Sequence, residues 1–368
     1  YIDKNFLYYL SSPPFMPCNK EFFYSTNGQY GLESSTIIGN GAFKVKTRYG
    51  WGHFKSISLT RNENYSGEMV PIPAGIAFSI GKDMSDSLAL INNGTVDAAL
   101  LTTDKVNEAK NLNLPLISFK DTLWGLTFNT KDALFSDTNI RLGILKSIDR
   151  EYTLSSIPNY CYLYNDIVID NMQTALGNFR DICGSNRCIK KSSDAKDSFE
   201  KGMQDLNIKK LPSISIICLD DPTVKNIVSN IIENLNGTLN YYFNMEALPF
   251  DSLMKKAYSS NFQIAFIPIT AQSNSAIEFL KIFKSDNTRN IAGLNSIEYD
   301  RLLEQAILSE PEKSMQCLIS AEDYLNKNAI FYPLYTQDRY FATSKKLSGV
   351  IFYGYSFGID FFNAKKTK

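Results

Sequence analysis

The chain has 368 residues, 44% apolar and 21% charged, with Lys+Arg and Asp+Glu equal at 38 each. That length accommodates two lobes with separate cores, and the charge balance gives no electrostatic pull towards nucleic acid or an anionic membrane. A single histidine, His53, removes most metal and acid–base chemistry, and no apolar run nears the roughly 20 residues of a membrane span.

Residues 36–65 alternate apolar and polar around Gly50-Trp-Gly52, which predicts a β-hairpin with one wet face and His53 at its surface turn. Next, IPAGIAFSI from Ile72 predicts a strand, and a helix follows with Asp83 or Ser85 as its N-cap. Asn92-Asn-Gly94 ends that helix and Val96–Leu101 reads as another strand, so the run predicts a β–α–β unit in a mostly parallel sheet. Leu123–Asn129 is a strand, and Ile140, Ile144, Leu145 and Ile148 mark a helix over 139–149. Residues 153–195 are polar and weakly periodic, an irregular excursion.

The clearest βα unit follows. Ile214–Leu219 is a buried strand, Asp220-Asp-Pro-Thr223 supplies a cap with proline in the first turn, and Val224, Ile227, Val228, Ile231 and Leu235 form one helical face. Phe262–Ile267 is a further buried strand, Thr270–Ser275 a small polar loop, and Ile277–Phe283 a helix. A strand entering a helix through such a loop is where α/β proteins hold ligands, because the helix leaves unpaired N–H groups at its start. Two amphipathic helices come next, one through Tyr299–Ala306 and one from Pro311 to Leu325. Ile330–Tyr335 is a strand, set near an edge by Pro333.

Little here carries catalysis. A Cys–His nucleophile pair would need His53 to reach a thiol, and Asp220-Asp221 is better explained as a helix cap. There is no GxGxxG, P-loop or CxxC pattern, so neither an enzyme, a metal site nor a cofactor is expected. Cys183 and Cys188 flank a short loop, CGSNRC, spaced for a disulfide or for two reduced thiols; Cys218 reads as core. Trp124 lies on a strand leaving the first half of the chain, as core or as the wall of a cleft.

In order along the chain, IIGNGAFKVKTRYGWGHFKSISLTRNENYSG, INNGTVDAAL, LTFNTKDALFSDTNIRLGILKSIDREY, AGLNSIEYDRLLEQA, AEDYLNKNAIFYPLY and LSGVIFY resemble segments of the extracellular solute-binding proteins, family 5. These are the peptide-binding components of ABC importers. The resemblance implies a two-lobed α/β fold of the periplasmic-binding-protein type II kind, mixed sheets flanked by helices. Lobe I would hold residues 1–122 and 350–368, and lobe II residues 127–349. It also implies that the chain begins after the family's opening strands, as an N-terminally truncated or processed product. The family's role would be capture of a small solute, possibly a peptide, between lobes that close by hinge motion, and delivery to the membrane permease. The protein would be a monomer, extracellular or periplasmic and lipid-anchored, with no nucleic-acid partner; the alternative is a surface signalling protein that kept the fold and binds a protein.

Laid on that pattern, the expected ligand contacts are Thr102, Thr103, Trp124, Phe266, Ile269, Thr270, Gln272, Ser273, Asn274 and Phe357. Oligopeptide binders carry an Asp in the loop after the FQIAFI-like strand, paired with the peptide's α-amino group. Gln272 stands there in this chain, and Ile269 replaces the usual aromatic. An ammonium would find a hydrogen-bond acceptor but no counter-charge.

Overall fold

The computed structural model describes residues 16–81, 86–155, 157–158, 160–185, 187–211, 213–353 and 358–367. Two compact units divide the chain: Tyr1–Phe119 with Arg339–Lys368, and Lys120–Asp338. The division falls slightly before the expected 122, and the return to the first unit comes well before 350.

The first unit opens with helix α1 (Lys20–Ser25), whose N-cap Asn19 accepts from the Phe22 N–H. Strands β1 (Phe43–Val45), β2 (Trp51–Gly52), β3 (Ser56–Arg61) and β4 (Gly75–Ser79) make an antiparallel sheet in which β3 pairs with the other three. The hairpin expected around Gly50 is present, with Tyr49 and Phe54 in the left-handed region at its turns (φ 56° and 59°). His53 is exposed there, its Nε2 3.1 Å from Glu33 Oε1.

Helix α2 (Ser87–Asn92), strand β5 (Ala98–Leu101) and helix α3 (Val106–Asn111) follow. Gly94 at φ 76° closes α2 as expected. Asp83 and Ser85, its expected caps, lie outside the described residues. The β–α–β reading is corrected: β4 joins the antiparallel sheet through β3, whereas β5 pairs antiparallel with Tyr340–Thr343. Residue pattern fixes an extended backbone but not the neighbour it bonds to.

Strand β6 (Leu116–Phe128) runs from the first unit into the second. There the chain forms α4 (Thr138–Lys146), α5 (Arg150–Thr153), β7 (Cys161–Leu163), β8 (Gln173–Thr174), β9 (Gly177–Asn178), α6 (Phe179–Cys183) and α7 (Ala195–Asp205). Then come β10 (Ile214–Leu219), α8 (Pro222–Leu239), β11 (Phe243–Leu248), α9 (Phe250–Tyr258), β12 (Ile264–Thr270), α10 (Ala276–Leu280), α11 (Ile297–Leu308), α12 (Pro311–Lys327) and β13 (Phe331–Thr343). The residues read as an irregular excursion thus contain four short strands and helices between Cys161 and Cys183.

Within the second unit the hydrogen-bonded order is β11-β10-β12-β6-β13, with β7 added to β13. β10 is parallel to β11 and β12, while β12 is antiparallel to β6, so the sheet is mixed. β13 is not an edge strand, since β6 and β7 flank it. Pro333 is tolerated because it precedes Tyr335–Gln337, the residues that β7 pairs, and so removes no bond on that side. Past Asp338, β13 belongs to the first unit, where Tyr340–Thr343 bond to β5; this explains the early return. The chain ends in two short pairs, β14 (Leu347–Ser348) with β17 (Lys365–Lys366) and β15 (Ile351–Tyr353) with β16 (Gly358–Asp360).

One face of the second unit's sheet packs under α4, α7 and α8, burying Leu126, Phe128, Ile140, Ile144, Phe199, Ile227, Ile231 and Phe266. Gly143 and Gly202 are where α4 and α7 meet: a Cβ on Gly143 would lie 2.6 Å from Phe199 Cβ. Helix α8 begins as its sequence predicts, with Asp221 accepting from Thr223 N at 2.9 Å and Val224 N at 3.1 Å, and Pro222 in the first turn.

Arg141 on α4 is almost fully buried and spends its guanidinium on carbonyls. It reaches Phe135 O (2.6 Å), Ser136 O (3.0 Å) and Asn328 O (2.7 and 3.1 Å), with Thr138 Oγ1 at 3.0 Å. Burial lowers its pKa to about 10, so it stays charged at neutral pH. Arg141→Lys cannot reproduce this fork and is expected to cost about 2–3 kcal/mol in urea unfolding at pH 7. Asp221→Ala should cost about 1 kcal/mol by the same measurement, the usual value for a lost N-cap.

Candidate functional site

Strand β12 earns its place through Ile264–Ile267, apolar on both faces, and ends in the polar Thr270. Its antiparallel pairing with β6 sets Phe266 opposite Leu126, Pro268 opposite Trp124 and Thr270 opposite Thr122. Trp124 therefore stacks on Phe266 (centroids 5.7 Å apart, planes 29°) and on Tyr335 (5.9 Å, 14°). Its Nε1–H donates to Gln337 Oε1 at 2.7 Å.

Of the two readings of Trp124, the structure selects core. Trp124 is 6% exposed, Phe266 has no exposed surface, and both belong to the main apolar cluster of the second unit. Neither presents a ring to solvent, although Phe266 was expected as a ligand contact. The cause is period two: Trp124, Leu126 and Phe128 share one face of β6, and that face is covered by helices. Ile269, also expected as a ligand contact, is placed differently. It points to the opposite side of the sheet from Phe266, where it lines a small pocket with Ile267, Ile282, Phe283, Arg289 and Phe331.

Beyond Thr270 the backbone turns into the polar loop. Ala271 N donates to Asp121 O at 2.8 Å, and Arg289 Nη2 donates to Thr270 O at 2.6 Å. The Thr270 hydroxyl is 3.3 Å from that of Thr122, which donates to Asp121 Oδ1 at 3.0 Å. Ala271 and Ser273 are buried, and Ser273 Oγ accepts from Ser275 N at 3.3 Å. Gln272 and Asn274 are the two exposed members. Asn274 O accepts from Gln173 N at 2.5 Å, and Gln173 bridges to Ser275, so the β8–β9 hairpin braces the loop. Ser275 caps α10 by accepting from Glu278 N.

Trp124, Thr270, Gln272, Ser273 and Asn274 are thus brought to one end of β12 and β6. Thr102 and Thr103 belong to the first unit, at the start of a 3₁₀ turn; Thr102 Oγ1 is buried and has no hydrogen-bond partner among the described residues. Phe357 lies outside the described residues. Cys183 and Cys188 are unbridged: Cys183, closing α6, donates to Gly184 O at 3.3 Å, and Cys188 faces Asn165 Oδ1 at 3.6 Å. Among the described residues no three His, Cys, Asp or Glu side chains converge as metal ligands, and no helix is long and apolar enough to cross a membrane.

Sequence reasoning missed Asp121, Thr122, Gln173, Arg289 and Gln337. For Thr122 and Gln337 a signal existed, since each lies two residues along a strand from an aromatic of the stack, Trp124 and Tyr335. For Arg289 and Gln173 no local pattern points to the loop.

The model of the bacterial extracellular solute-binding proteins, family 5 (middle region), matches residues 3–290. The chain belongs to this family. Among curated relatives, the dipeptide-binding protein DppE of Bacillus subtilis (strain 168) is 24% identical over 358 residues, which cover 95% of this chain and 64% of that protein. The oligopeptide-binding protein OppA of the same organism is 22% identical, covering 92% of this chain and 63% of its own length. The family 5 chain therefore spans just under two thirds of either relative. A solved substrate-binding domain of an oligopeptide ABC transporter from Bacillus anthracis superposes with a TM-score of 0.76 at 20% identity, covering 99% of this chain and 72% of that one. That likeness shows the expected fold, the two-lobed α/β type II kind with mixed sheets flanked by helices.

If the tryptophan is a core group tied to the surface by one bond, Trp124→Phe should keep the stack and lose about 1 kcal/mol in thermal unfolding. Trp124→Ala should lose about 3–5 kcal/mol, the cost of a large core cavity.

Proposed function

We propose that this family 5 chain binds a peptide or similar small solute outside the cytoplasmic membrane and passes it to the permease of an ABC importer. Membership of the family carries the reading, and the names of the two curated relatives support it. The protein acts as a monomer held to the membrane by a lipid anchor, and its role is binding and delivery without chemical conversion.

At the ligand, Gln272 and Asn274 offer exposed amide groups that donate to carbonyls and accept from N–H groups, as a peptide backbone requires. No residue from Pro268 to Ser275 carries a charge. A ligand ammonium at this loop would meet no carboxylate among the loop's own residues, and the Arg289 guanidinium on Thr270 O disfavours it. The site favours main-chain recognition over capture of a charged terminus.

Thermal unfolding with pooled di- to hexapeptides tests the proposal. A peptide at 100 times its dissociation constant should stabilise the protein by about 2.7 kcal/mol. Gln272→Ala should leave the unliganded protein within about 0.5 kcal/mol of wild type while reducing the shift. An unchanged melting curve across all pools would overturn the peptide-binding reading, and an undiminished shift in Gln272→Ala would remove the loop from the site.

A further inference from the structure

We infer that Glu322 and Arg180 are positioning residues for the exposed loop at Gln272–Asn274, acting through the segment from Asp166 to Asn178. The inference rests on the proposed role of that loop in ligand contact.

Glu322 lies on α12 with no exposed surface. Its Oε1 accepts from Ile167 N at 3.0 Å, from Val168 N at 2.8 Å and from the Arg180 guanidinium. Arg180 in turn donates from Nε to Val168 O at 2.8 Å and from Nη1 to Gly184 O at 3.0 Å, and lies 3.4 Å from Asp166 Oδ1. Both backbone polar groups of Val168 are therefore held by one buried ion pair.

From Val168 the chain runs directly into β8. On the way back, Phe179 N donates to Met172 O at 2.8 Å, and the next residue is Arg180 itself. The stem of the β8–β9 hairpin is thus fixed on its outgoing side at Val168 and on its returning side at Arg180. The same hairpin presents Gln173 N to Asn274 O at 2.5 Å. Hydrogen bonds joined by short covalent steps, Arg180 to Phe179 and Met172 to Gln173, lead from the core carboxylate to the loop.

An ion pair is a weak source of net stability when buried, because desolvation offsets its attraction. Fixed geometry is what a carboxylate oxygen with three donors supplies, and this one fixes a hairpin whose other end touches the loop.

Amide hydrogen exchange on wild type and Glu322→Gln tests the coupling, with peptide affinity as the second readout. Neutralising the carboxyl should cut protection about tenfold at Ile167, Val168 and Gln173 while leaving Ile216 in β10 unchanged, and should weaken binding from the di- to hexapeptide pool about tenfold. Loss of protection that is uniform, Ile216 included, would overturn the inference, since that is general destabilisation. So would protection at Gln173 that survives when Ile167 and Val168 open. If Gln173 opens and affinity does not move, the coupling stands and the loop's ligand role fails. Should Glu322→Gln not fold, Arg180→Lys keeps the charge but loses the fork to Val168 O and Gly184 O. Unchanged protection at Gln173 in that variant would overturn the inference equally.

Discussion

Buried backbone carbonyls must find donors, and in the second unit arginine supplies them. Arg141 takes the carbonyls of Phe135, Ser136 and Asn328; Arg150 takes those of Pro333 (2.5 Å), Tyr164 (2.6 Å) and Leu334 (3.2 Å); Arg180 takes those of Val168 and Gly184. Arg141 and Arg180 tie their helices to carbonyls of irregular chain, and Arg150 ties α5 to the start of β13. A planar cation with five donors can do this for three carbonyls at once, whereas an amide such as Asn129 reaches two, Ser260 O and Phe262 O. The segments so fixed include the turn before α4, the start of β13 and the stem of the hairpin that braces the candidate loop.

That hairpin links architecture to function. The aromatic stack of Phe266 on β12, Trp124 on β6 and Tyr335 on β13 is core. The short loop beyond them, none of whose residues is charged, is held from three sides: by Asp121 O on Ala271 N, by Arg289 on Thr270 O, and by Gln173 N on Asn274 O. With its backbone groups occupied inward, Gln272 and Asn274 are the side chains that remain to face solvent.

Several features were legible along the chain because they depend on neighbours in sequence. β10 was bounded correctly at Ile214–Leu219 and α8 at its Asp221 cap, since an apolar run and an Asp-Pro start act locally. The strand entering the loop at Thr270 and the absence of charge in that loop were readable in the same way. The burial of Phe266 was not legible, because an aromatic in a strand near a loop end looks the same whether helices cover its face or water does. The excursion at 153–195 read as formless because its order depends on Arg150 and Arg180 reaching Pro333, Leu334 and Glu322, each more than a hundred residues away along the chain.

The sequence by itself determined the elements with strong local codes, the mixed α/β class and, through the order of its motifs, the family. It also determined that the candidate loop carries no charge. Only the tertiary structure decided which strand each strand pairs with, that β4 and β5 part company, which face of β12 is covered, and which distant side chains hold Val168, Thr270 and Asn274. The physical reason is range: capping and periodicity act over a few residues, whereas strand pairing and buried hydrogen bonds are chosen by whatever folding brings within about 3 Å.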